Sequence, residues 1–143
     1  MEQIIPLISS GVAGPLGVLH LPRLWLKASL AHAGKLHPDY PALAPGYDTM
    51  VLDGLGINHQ AFKSFIESQP SYIECERWIV ENGSKVTPEA IAELNEAILG
   101  YEHADDIRQN ILGKAGLPDG MPRDAVNLNN LDDWDEFHAA VLS

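Results

Sequence analysis

Residues 20–34, HLPRLWLKASLAHAG, read as one short helix with punctuation at both ends. Pro22 suits the first helical turn, where its missing N–H would have no partner anyway, and Gly34 can take the left-handed conformation that closes a helix. At roughly 100° per residue, Arg23 and Lys27 share one side, while Trp25, Ser29 and His32 point the opposite way. Leu24, Leu26 and Ala28 lie between. A helix that is polar on two opposed sides either lies between apolar surfaces or turns one polar side inward. Facing water, the two cations repel each other by only a few tenths of a kcal/mol. Buried without anions, each would cost several kcal/mol. The stretch therefore asks where the anions are, and Asp48 and Asp53 are the candidates close in sequence.

The same punctuation recurs on either side. Asp48 is expected to cap a short helix that stops at Gly54 or Gly56, and Asn58 the next, in which Ala61, Phe62, Phe65 and Ile66 recur at helical spacing up to Ser68. Ser71 with Glu74 forms a capping box ahead of Ile73, Trp78, Ile79 and Val80, and Gly83 ends that helix. Thr87 and Pro88 open a fifth helix, amphipathic through Ile91, Leu94 and Ile98, that stops near Gly100. A sixth covers 105–116. Residues 117–130, with two Pro, a Gly and three Asn, read as loop. A last short helix covers 131–142, with Trp134, Phe137, His138 and Val141 as its buried or docking side.

No segment sustains the period-two alternation of a strand. The expected fold is therefore all-α: a compact single-domain orthogonal bundle of about six or seven short helices over residues 1–143. Residues 1–21 precede it as an extended segment. That segment is apolar, but Pro6, Gly11, Gly14, Pro15 and Gly17 break it, and a bilayer span wants about 20 continuous apolar residues.

Charge narrows the function classes. The chain has 143 residues, 45% of them hydrophobic, and a net charge of -11, all of it carried by residues 64–143. Such a surface repels nucleic acid, whose binding depends on Lys and Arg displacing counterions, and it repels anionic membranes. Neither is an expected partner. Cys75 is the only cysteine, so no intrachain disulfide or cysteine zinc site can form, which suits a cytoplasmic location. Flanked by Glu74 and Glu76, its thiol is expected to be buried and inert. There is no HExxH, EF-hand loop, GxSxG or GxxxxGK[ST]. His37-Pro38-Asp39, and His103 with Asp105 and Asp106, are too loosely spaced to specify a metal. No metal and no cofactor are expected.

What remains is the Arg/Lys pair and its surroundings. In one reading, Arg23 and Lys27 form a structural ion-pair network with Asp48 and Asp53. In the other, they bind the carboxylate or phosphate of a small molecule, Arg23 as a bidentate fork and Lys27 as a point charge. Tyr40 and Tyr47 lie in the Pro-rich loop DYPALAPGYD, and His20, His37 and His59 flank the region. The functional expectation is a small metal-free enzyme of lyase, isomerase or hydrolase type acting on an anionic small molecule. Lys27, Asp48, Tyr40, Tyr47, His20 and His37 are its candidate catalytic groups; Arg23, Lys27, Trp25 and His59 are its candidate substrate-binding groups. The alternative is a non-catalytic module that binds an anionic metabolite or docks on a protein. The surplus of aromatic and Leu side chains also makes a homodimer plausible.

The ordered segments LPRLWLKA, GKLHPDY, YDTMVLDGLGI, WIVENG and TPEAIAELNEAI resemble a bacterial family known only as a domain of unknown function. The likeness covers roughly residues 8–137. It implies functional or structural weight at Gly14, Gly17, Arg23, Lys27, Gly34, Tyr40, Asp48, Leu55, Gly56, Trp78 and Asn95. Where the family often has Asp-Lys in helix 1, this chain has Leu26-Lys27, so an acidic neighbour for Lys27 is missing. The loop around Tyr40 and Tyr47 is also longer and richer in Pro. The resemblance supports the layout and leaves the activity open.

Overall fold

Caps and glycines cut the chain into seven α-helices: α1 Leu21–His32, α2 Tyr47–Leu55, α3 His59–Ile66, α4 Tyr72–Asn82, α5 Pro88–Gly100, α6 Asp105–Lys114 and α7 Ala125–Phe137. The computed structural model describes residues 2–143; Met1 lies outside the described residues. The expected all-α class is observed, and among the described residues strand-like pairing is limited to isolated bridges. No helix is long and apolar enough to cross a membrane.

Several helix starts follow their local signals. Asn58 accepts the Ala61 N–H at 2.9 Å, and Thr87 Oγ1 accepts that of Ala90 at 3.1 Å. The Ser71–Glu74 box closes in both directions, at 2.9 and 3.2 Å. Each satisfies an N–H that would otherwise lack an intrahelical partner.

Two expectations are corrected. Asp48 does not cap α2: Gly46, at φ 116°, holds that position, and Asp48 lies within the first turn with its side chain buried. Its oxygens are taken by groups from elsewhere in the fold. The loop assigned to 117–130 ends at Asp124, and α7 starts at Ala125, six residues before the predicted start of the last helix. Asp124 caps α7 by accepting the Asn127 N–H at 3.0 Å, and Ala125 and Leu128 are fully buried. Asn is a weak helix former, but the cap and tertiary burial override it here. After Phe137 the chain widens into a π-helical turn, His138–Leu142, with no buried residue. Trp134 and Val141 are each 60% exposed, so of the two readings of that side, buried or docking, burial does not hold for them.

The main core gathers Leu21 and Leu24 of α1, Val51, Leu52 and Leu55 of α2, and inward residues of α3, α4 and α5. A smaller cluster of Ile111, Leu112 and Leu128 joins α6 to α7. Helix α1 packs on α3 and α4, α2 on α5, and α7 on both α5 and α6.

The N-terminal segment is held closely against this body. Ile4 N donates to Lys35 O at 2.6 Å, and the Leu16 amide donates to the buried Glu76 carboxylate at 3.1 Å. Asn95 of α5 clamps the segment twice, accepting from Leu19 N at 3.0 Å and donating to Gly17 O at 2.8 Å. Gly14 is required by close approach: a Cβ there would lie 2.4 Å from the Tyr72 ring and 2.5 Å from Glu76 Oε2. These clamps bring His20, the last residue of the segment, to the mouth of α1.

Candidate functional site

Helix α1 turns its cations inward. Arg23 and Lys27 are only 5% and 6% exposed. The partner of Arg23 is Asp133 of α7, which it meets in a bidentate fork at 2.6 and 3.0 Å. The guanidinium also donates to the carbonyls of Pro6 and Ile8, at 2.7 and 2.9 Å. Tyr40 adds its hydroxyl to Asp133 at 2.8 Å, and Arg23 sits 5.8 Å from the Tyr40 ring centroid. Burial pushes the Asp133 carboxyl up, against the pull of Arg23 and Tyr40. One guanidinium thus ties the N-terminal segment, α1, the loop and α7 together.

Lys27 donates to Asp48 Oδ2 at 2.8 Å. The same oxygen accepts the Ala44 N–H at 2.9 Å, and Oδ1 meets His20 Nε2 at 2.6 Å. Burial raises the Asp48 carboxyl, but the His20 hydrogen bond and the Lys27 charge outweigh it and hold the group at about 2. Burial dominates for His20 and lowers it, against the pull of Asp48. The ring is therefore neutral near pH 7. Its Nε2–H donates to Asp48, and Nδ1 accepts the hydroxyl of fully buried Ser10 at 2.9 Å. Ser10, His20 and Asp48 form a Ser-His-Asp chain, in which Ser10 is fully buried. It fixes the His20 tautomer. His20 itself sits at φ 70°, a left-handed conformation that a non-glycine residue holds only when its surroundings enforce it.

These groups meet a cavity of about 290 Å³ between α1, the loop before α2 and the α6–α7 side of the molecule. Six of the sequence candidates lie on its wall: His20, Arg23, Lys27, Tyr40, Tyr47 and Asp48. Tyr47 donates to Ile98 O at 2.7 Å, and burial pushes both its phenol and that of Tyr40 up. The wall also includes Asp39, Tyr101, His103, Asn129 and Asp132, of which Tyr101, Asn129 and Asp132 were not anticipated. They come from α7 and the chain before α6, and no local motif marks them.

The remaining candidates lie elsewhere. Trp25 points away from the cavity, donates its indole N–H to Pro70 O at 3.0 Å and packs edge-on to Tyr72. His59 opens α3 and pairs with the exposed Asp53 at 2.7 Å, so Asp53 is not the partner of either α1 cation. His37 stands behind Tyr40, 3.8 Å from Glu136.

His37, Asp39 and Glu136 place one ligand atom each within 4.8 Å of one another. Yet His37 Nδ1 accepts the Asp39 N–H at 3.2 Å, which puts the ring proton on Nε2, toward Glu136. Lys114 stands 3.7 Å from the same carboxylate. The cluster reads as an ion-pair group rather than a metal centre. Cys75 is fully buried, and burial pushes its thiol up to about 12, as the inert reading requires.

Comparison with curated proteins gives no match. Residues 10–137, which contain α1–α7 and the whole cavity wall, match the family described as Domain of unknown function (DUF5069). The chain belongs to that family.

Proposed function

We propose that this protein binds a small carboxylate- or phosphate-bearing molecule in the cavity beside α1, with Lys27 as the anchor. The observation that carries the reading is the Lys27 ammonium. It lies on the cavity wall, is 6% exposed and has a single hydrogen-bond partner, Asp48, for its three donors. Buried donors are as a rule satisfied, and an anionic oxygen in the cavity would take the remaining N–H groups. Arg23 plays a different part, because its fork is spent on Asp133 and two carbonyls. It fixes the wall and does not grip the ligand. A volume of about 290 Å³ suits a small metabolite.

The geometry favours binding over acid–base catalysis. A general base works best with a pKa near the operating pH; Asp48, at about 2, is far below it. Both nitrogens of His20 are engaged, and the Tyr40 and Tyr47 hydroxyls are committed as donors. Lyase, isomerase or hydrolase chemistry would fall to His103, whose Nε2 meets Asn129 at 2.8 Å and whose Nδ1 is left for a ligand.

The test is a thermal-shift and calorimetric screen of small carboxylates and phosphates against the wild type and Lys27→Met. A ligand at 100 times its Kd stabilises the native state by about 2.7 kcal/mol. The expected outcome is a stabilising compound whose effect disappears in a folded Lys27→Met protein. An empty screen, or a hit indifferent to that substitution, overturns the reading.

A further inference from the structure

We infer that the ligand of this cavity is a zwitterion, carrying a carboxylate for Lys27 and an ammonium or guanidinium group for a second, acidic pole on the same wall. The inference rests on the binding reading above and narrows it.

The argument is one of charge balance. Arg23 is matched by Asp133 and Lys27 by Asp48, so the cationic side of the cavity is already neutral. Asp39 and Asp132 also face the cavity, and Glu136 stands beside Asp39. Among the described residues, Lys114 is the one Lys or Arg side chain within ion-pair distance of this group, at 3.3 Å from Asp132 and 3.7 Å from Glu136. Three carboxylates therefore share one ammonium and the His37 ring, whose Nε2 lies 3.8 Å from Glu136. Glu136 registers the surplus: burial and then the Asp39 charge hold its carboxyl above the usual range.

A phosphate or a simple carboxylate placed in such a cavity would add negative charge to a wall that already carries an excess. A zwitterion adds none, and its cationic end relieves the acidic pole while its anionic end completes Lys27. The rings of Tyr40, Tyr47 and Tyr101 also line the cavity, and an aromatic face attracts a cation. Lys27 and the acidic pole stand on different elements, α1 against the loop and α7, and line the same cavity, so one ligand could engage both.

Isothermal calorimetry decides it. The probes are amino acids whose ammonium and carboxylate are separated by increasing numbers of methylenes, the matching carboxylic acids without the amine, the matching amines, and inorganic phosphate. At the best-fitting length the zwitterion is expected to bind at least about tenfold more tightly than its carboxylic acid. Asp39→Asn with Asp132→Asn should remove that advantage without weakening the plain acid. If the double variant does not fold, Asp39→Asn alone, at an exposed position, should reduce the advantage. Equal affinity for acid and zwitterion, or preference for phosphate, overturns the inference and leaves the anion reading standing. No binding by acid, zwitterion or phosphate overturns both.

Discussion

Removing the Asp133 carboxylate is the sharpest test of how this molecule is held together. Asp133→Ala deletes both arms of the fork to Arg23, at 2.6 and 3.0 Å, together with the acceptor of Tyr40 at 2.8 Å. Arg23 stays buried at 5% exposure with only two backbone carbonyls to satisfy it. Breaking a buried pair from one side costs about 3–5 kcal/mol, because the other charge is left uncompensated. Against a total stability of about 5–15 kcal/mol, that is a large fraction, and it corresponds to a fall in Tm of roughly 10–20 °C. Urea unfolding followed by circular dichroism measures the loss directly. Arg23→Met should cost a comparable amount, and the double variant should lose less than the sum, with a coupling of about 0.5–3 kcal/mol. A loss under about 1 kcal/mol for Asp133→Ala, as for an exposed pair, would refute the reasoning.

Three other outcomes follow. His20 is lowered below its ordinary value of 6.5 and Asp48 sits at about 2 instead of 3.8, so the unfolded chain binds more protons than the folded one in both windows. Stability should be full above pH 6.5, fall as His20 is forced to charge, and lose about 2 kcal/mol more between pH 4 and 2 as Asp48 is protonated; urea midpoints from pH 8 to 2 should record two steps, the upper one absent in His20→Asn. Gly14→Ala, whose new Cβ meets the Tyr72 ring at 2.4 Å, should cost about 1–3 kcal/mol by overpacking, and an unchanged unfolding midpoint would contradict the close approach. Ser71→Ala should cost about 1 kcal/mol, because it deletes the acceptor of the Glu74 N–H.

The parts of this fold that could be read in advance are those whose causes are local. Pro22 and Gly34 bracket α1, and Asn58, Ser71 and Thr87 cap α3, α4 and α5, each through atoms a few residues away. The start of α7 was missed because Asn127, Asn129 and Asn130 are poor helix formers and the burial of Leu128 is a tertiary effect. The spacing of Arg23 and Lys27 put both on one side of α1 and left open whether that side turns inward, and Asp48 was named among the candidate anions close in sequence. Asp133 was not: it lies 110 residues from Arg23, in an acidic run where nothing marks one carboxylate as buried and its neighbours as solvated. Trp25 was grouped with the site by proximity in sequence, although helical geometry already placed it on the far side of α1.

The distance along the chain between Arg23 and its counter-ion has a consequence during synthesis. A nascent chain emerges N-terminal end first, so α1, with Leu21 and Leu24 ready to seek apolar cover, leaves the ribosome long before Asp133 exists. Until then its guanidinium has no acidic mate and burying the helix is penalised. The Arg23 fork can therefore close only when α7 arrives, and protease digestion of stalled chains of increasing length is expected to show protection of α1 rising at that length.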